Sequence, residues 1–210
     1  MSKTEMRQVF IWEDKSTWVS AKTNFFSHYS HVRGYHGCRP VDVESYYEDG
    51  LLPPEKERLS EHAVYTLSND RHSKEKIEAL FNKAWDNYYA KGLYFCLCKN
   101  ELLDYCGHYL IYGSELICGI GRKLGLDTTL KSKGTPTLFS VDVPIHLIDE
   151  NIILELRGKV RDSRRYKTPP SIDFGFRVTQ RLFPDCIVAC DHPQKIHDPL
   201  NWGSYYTHIK

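Results

Sequence analysis

The chain has 210 residues, 41% hydrophobic and 26% charged, with a formal net charge of +1. This is an ordinary globular composition at the length of one domain, or of one domain with an extension. The near-zero charge leaves out the global basic excess behind a non-specific grip on nucleic acid, and no run of 18 apolar residues exists to span a membrane.

Residues 1 to about 30 form an N-terminal segment with scattered apolar positions, and 31–210 reads as a single domain. The opening "MSKTEMRQVFIWEDK" lacks the apolar core of a signal peptide. The seven cysteines are odd in number and lack the spacing of a small stapled scaffold, so the cytoplasm is the expected location. "HVRGYHGCR" reads as a first strand, and "VDVESYYED" as a short helix closed by Gly50. "SKEKIEALFNKAWDNYYAKG" (73–92) is the clearest helix: Ser73 is its N-cap, Ile77, Leu80, Phe81, Ala84, Trp85 and Tyr88 keep helical spacing, and Gly92 stops it.

"GLYFCLC" (92–98) reads as a buried strand. Residues 100–125 are mostly helical, with breaks near Gly107 and Gly113. "TPTLFSVDVPIHLI", "NIILELRGKV", "FGFRVT" and "DCIVAC" read as strands, with a basic loop "KVRDSRRYK" (159–167) among them. Helices mixed with many short strands, outside strict alternation, predict an α+β fold with a largely antiparallel or split sheet. Fourteen Tyr and four Trp favour pockets walled by rings.

The usual nucleotide and nucleophile signatures are missing. There is no Walker A loop, no GxGxxG after a strand and no GxSxG elbow. Cys96, Cys98, Cys106 and His108 form one loose Cys/His group, and Cys186, Cys190 and His192 another. Neither contains the CxxC knuckle usual for structural zinc, so buried free cysteines are the plainer expectation.

An ordered set remains. "YHGCR" is followed by Gly50-Leu51 fourteen residues after His36; "GLYF" is followed by Tyr105-Cys106 thirteen residues after Gly92. With both spacings kept, this resembles the catalytic domain of the poly(ADP-ribose) polymerases and related diphtheria-toxin-like ADP-ribosyltransferases. The likeness covers about residues 33 to 106. It implies a fold of split antiparallel β-sheets with flanking helices and NAD+ as co-substrate. On it, His36 matches the histidine that bonds the adenosine ribose, and Gly37 the glycine whose backbone grips the nicotinamide carboxamide, where an absent side chain permits close approach. Arg39 matches the family's arginine. Tyr94 matches the strand tyrosine of the NAD+ site, and Tyr105 the tyrosine that stacks on nicotinamide. Cys38 stands where the family has Ser or Thr, and Leu102 where it often has Ser.

The family commonly completes its site with a glutamate. Cleaving the glycosidic bond of NAD+ develops positive charge on the ribose, and a carboxylate on the 2′-OH stabilises it and can activate an acceptor. Asp185 is the first candidate, as the acid before a short apolar strand. Glu115, at a loop–helix junction, and Glu155, on a strand-like segment, are the alternatives. Glu115 also suits a helix first turn by charge alone, and Glu155 suits a solvent face.

The resemblance implies a mono-ADP-ribosyltransferase acting on a macromolecular acceptor, protein or nucleic acid. The basic 159–167 loop keeps RNA and DNA open, although its plainer role is a solvated charge run. A compact domain of this kind is similar to toxins and defence effectors, which implies an inhibitory antitoxin partner. Two other readings stand beside it: a non-catalytic NAD+- or ADP-ribose-binding module of the same fold, and an unrelated Cys/His metal-binding α+β protein.

Overall fold

The computed structural model describes residues 7–19, 24–88, 91–201 and 203–208. β1 (Val9–Phe10) leads to α1 (Phe25–His28) and β2 (His31–Cys38). Three helices follow: α2 (Ser45–Asp49), α3 (Lys56–Leu67) and α4 (Lys74–Trp85). After β3 (Leu93–Cys96) come α5 (Lys99–Asp104), α6 (His108–Tyr112), α7 (Glu115–Lys123) and α8 (Asp127–Ser132). The remaining elements are β4 (Thr137–Pro144), α9 (Glu150–Ser163), β5 (Gly175–Val178), β6 (Ile187–Asp191) and the pair β7 (Lys195–His197) and β8 (Tyr205–Thr207).

The main sheet runs β5-β3-β2-β4-β6, all antiparallel, with β1 parallel to β2. The fold is therefore α+β with a mostly antiparallel sheet, as expected. β4 pairs with β2 along all eight residues of that strand. On its other side β2 is shared. β1 holds His31 and Val32, and β3 is joined only at Tyr35↔Cys96. Past Tyr35 the two strands part.

Period-two alternation sends β4 into two cores. Phe139, Val141 and Val143 join a cluster with Phe10, Trp12, Val32, Phe95 and Phe176, closed by Ile153, Leu156 and Val160 of α9. Leu138 joins Tyr35 in a second cluster with Leu67, Phe81, Leu102, Leu110 and Ile117 from the helices between β2 and β4. The described part of the N-terminal segment thus lends a strand and two fully buried rings, Phe10 and Trp12, to the main body.

Two elements differ from expectation. "NIILELRGKV" is helix, because Asp149 caps α9 by accepting from the Asn151 amide at 2.8 Å. Its buried Ile153, Leu156 and Val160 are spaced three and four apart, the helical interval, although the Ile-Ile pair has strand propensity. The first half of the basic 159–167 stretch therefore belongs to α9 rather than to a loop. α4 keeps its Ser73 cap but ends at Trp85, where the Asn87 side chain donates to the Lys83 carbonyl at 3.0 Å. Residues 89 and 90 of the expected 73–92 helix lie outside the described residues. Among the described residues no helix is long and apolar enough to cross a membrane.

Candidate functional site

A cavity of about 850 Å³ opens where β2 and β3 part. That volume is in the upper part of the range of small-molecule sites, roughly 300–1,000 Å³. Its walls are the end of β2, β3, the segment from α2 into α3, Tyr109 of α6 and the start of α7.

His36 and Tyr94 stand together at the parting strands. The His36 Nδ1–H donates to the Tyr94 carbonyl at 2.9 Å. A carbonyl only accepts, so Nδ1 carries the proton and Nε2 is the open nitrogen. Burial lowers the His36 pKa, against the smaller opposing effect of that bond, so the ring is neutral at pH 7 with an acceptor lone pair. Phe95 fixes its tilt, ring centre to ring centre 5.5 Å.

Gly37 and Cys38 also line the cavity. A Cβ on Gly37 would come 2.9 Å from Leu102 Cδ2, so Leu102 packs directly over the glycine. Burial pushes the Cys38 thiol up to about 12, and its Sγ–H donates to the Thr137 carbonyl at 3.7 Å. No thiolate forms there at neutral pH.

Arg39 is only 6% exposed. Its Nε donates to Lys133 O at 2.7 Å and one terminal nitrogen to Leu110 O at 3.1 Å. The other terminal nitrogen reaches Lys131 O and the Tyr206 hydroxyl. A guanidinium with its donors so engaged holds α6 and α8 in place and has little left for a ligand. The cavity's other described arginine is Arg58 on α3, exposed, with one terminal nitrogen donating to Pro53 O at 2.8 Å and Leu52 O at 3.3 Å.

Of the three acids singled out, only Glu115 lines the cavity. It opens α7 behind Ser114, whose hydroxyl accepts from the Ile117 amide at 3.3 Å. Tyr88 and Tyr109 line the same wall. Burial pushes Tyr88 up to about 12 and raises Tyr109 further, and in both the Glu115 carboxylate is the next cause. The carboxylate and the two phenols are therefore close neighbours. Asp185 is elsewhere. It sits in the turn before β6, paired with Arg7. Register puts Cys190, not Asp185, in line with Phe139 and His36, so Asp185 stands at the far end of β6 from the histidine. Glu155 is exposed on helix α9, outside the cavity, and not on a strand.

Tyr105 is 67% exposed and outside the lining. Tyr109, four residues on in α6, lines the cavity instead. His62 and Tyr65, one stripe with Arg58 on α3, also face the cavity, and burial lowers the His62 pKa. These positions were missed by sequence reasoning, although "PPEKERLSEHAVYTL" carries a helix signal: prolines before a run with Leu59, Ala63 and Leu67 at four-residue intervals. The Cys/His groups do not converge: among the described residues no three His, Cys, Asp or Glu side chains are arranged to hold a metal ion. All seven cysteines are free.

In comparisons with protein-family models, with curated proteins and with solved structures, nothing matches this chain.

Proposed function

We propose that the protein is an NAD+-dependent mono-ADP-ribosyltransferase with an ADP-ribosyltransferase-like fold. The observation that carries the proposal is the meeting of His36, Tyr94 and Glu115 in one cavity at the seam between β2 and β3. These residues lie far apart in sequence, and two of them belong to the motif set that resembles the family.

Each group has a role the chemistry needs. The open Nε2 of neutral His36 accepts from a ribose hydroxyl. Tyr94, Tyr88 and Tyr109 supply flat walls for aromatic rings, with Tyr109 in place of Tyr105 as the face for nicotinamide. Arg58 is the cation for the diphosphate. Glu115 replaces Asp185 as the preferred acid: its carboxylate accepts from the ribose 2′-OH and stabilises charge developing on the sugar. In the reaction the bond from ribose C1′ to the nicotinamide nitrogen breaks, and nicotinamide leaves with the electron pair. The acceptor atom bonds to C1′ and loses its proton.

The test is nicotinamide release from NAD+, alone and with cell lysate, followed by chromatography. Wild type should release nicotinamide. His36→Ala and Glu115→Gln should each reduce the rate by roughly 100-fold or more, the scale of a lost transition-state contact. Glu115→Gln should keep NAD+ affinity within a few-fold. A wild-type protein that does not bind NAD+ defeats the proposal. Binding without release makes the chain a non-catalytic NAD+- or ADP-ribose-binding module, a reading favoured by the position of Asp185 outside the cavity.

A further inference from the structure

The C-terminal end of α9 and the segment behind it carry a cationic ridge for which the cavity has no use. Between Arg157 and Lys167 stand six cations and one acid, a net +5 in a chain whose total is +1. Helix C-termini attract cations, and orphan carbonyls there could account for the run. Lys15 already serves them. Its ammonium reaches from the N-terminal segment to the carbonyls of Ser163 and Arg164 at 3.5 Å, and to that of Tyr166. Arg161 pairs with Asp162 at 3.0 Å.

Lys159, Arg164, Arg165 and Lys167 remain, exposed and with no ion pair among the described residues. Arg165 lies 5.0 Å over the ring of Tyr166 and donates to its hydroxyl at 3.0 Å. That ring is 45% exposed. Unpaired like charges beside an exposed stacked plane call for a polyanion that also offers flat rings. An acidic peptide satisfies the charges alone, and a duplex keeps its bases away from Tyr166.

We propose that this ridge binds single-stranded nucleic acid, with phosphates along Lys159, Arg164, Arg165 and Lys167 and a base stacked on Tyr166. Lys167 lies six residues before Asp173, which lines the cavity, so the two are at most about 22 Å apart. A strand on the ridge reaches the cavity within a few nucleotides. That the strand is also the acceptor rests on the transferase reading: an oxygen or nitrogen of the strand bonds to ribose C1′, its proton passes to solvent, and nicotinamide departs with the electron pair.

The test uses the full chain and short fluorescent single strands of RNA and DNA, read by anisotropy. Both strands should bind. Affinity should fall with salt at a log–log slope of about −3, from four single-strand phosphate contacts at about −0.7 each. The triple variant Arg164→Glu/Arg165→Glu/Lys167→Glu should bind at least about tenfold more weakly, with nicotinamide release in the absence of strand and melting temperature unchanged. Tyr166→Ala should weaken binding without changing the slope. No binding by wild type, unaltered binding by the triple variant, or equal competition by polyglutamate or duplex overturns the proposal. Nicotinamide release in the same samples separates the two readings. Release without strand binding defeats only the ridge, and strand binding without release defeats only the transferase. With NAD+ labelled in its ADP-ribose half, label should enter the strand; a bound strand that stays unlabelled overturns its role as acceptor.

Discussion

At Cys106 one thiol sits beside another. A hydrogen bond from Cys96 lowers the Cys106 pKa, with burial opposing it. Cys38, in the same cavity, is held protonated up to about 12 by burial. Since the thiolate is the nucleophile, the two cysteines should react very differently. With iodoacetamide at pH 7.5 on the folded protein, mass spectrometry should find Cys106 modified first among the seven cysteines and Cys38 among the last. Equal labelling of the two would contradict this. The same scale marks the limits of legibility. His36, Gly37 and Tyr94 share one cavity, as their place on strands in the sequence suggests, because local spacing along a strand fixes which residues share a neighbourhood. Tyr105 lies outside the cavity and Tyr109 lines it: the two tyrosines are four apart on successive short elements, and only tertiary packing decides which faces in. Asp185 is singled out in the sequence by the strand it precedes, whereas strand order and register, not local pattern, place it at the far end of β6 from His36.

At the scale of elements, Gly50 stops α2 and turns the chain toward the cavity's next wall. Its φ is +77° with ψ −165°, a region essentially reserved for glycine. A Cβ there would stand 2.0 Å from the Leu182 carbonyl, beside the Leu51↔Leu182 bridge whose bonds are 2.9 and 3.0 Å. Gly50→Ala should therefore cost about 1–3 kcal/mol from backbone strain alone, with the clash in addition. Denaturant unfolding checks it, and a loss below about 0.5 kcal/mol would be incompatible with this geometry. The cap at Gly50 was readable in sequence. The helical nature of α9 was not read, because an Ile-Ile pair outweighed the Asp149 cap signal, and with it Glu155 was assigned to a strand. α3 went unassigned, and with it Arg58 and His62, whose place across from β2 depends on long-range packing.

For the molecule as a whole, acid is the sensitive direction. His31, His36, His62 and His108 all have lowered pKa values, burial being the first cause in each. The unfolded chain then takes up protons at about pH 6.5, before the folded one does. Stability from these groups is complete above about pH 6.5 and is lost as pH falls through the folded values. Glu101, raised by burial, acts in the opposite sense around the ordinary carboxylate range. The melting temperature should therefore drop between pH 7.5 and 5.5; a flat or rising profile would show that these imidazoles are not held neutral. A last consequence belongs to the seam. Past the one pair Tyr35↔Cys96, the distance between β2 and β3 is set by bulk rather than by a hydrogen-bond ladder. On the other side of that pair from the cavity, Gly34 leaves the room that two rings fill: a Cβ there would meet Phe95 at 2.9 Å and Phe176 at 3.0 Å. Phe176 does not line the cavity, yet it stacks at 5.3 Å on Phe95, which does. A larger residue at Gly34 or a smaller one at Phe176 must therefore shift Phe95, so substitutions at buried positions behind the cavity can move its wall while every lining residue keeps its identity.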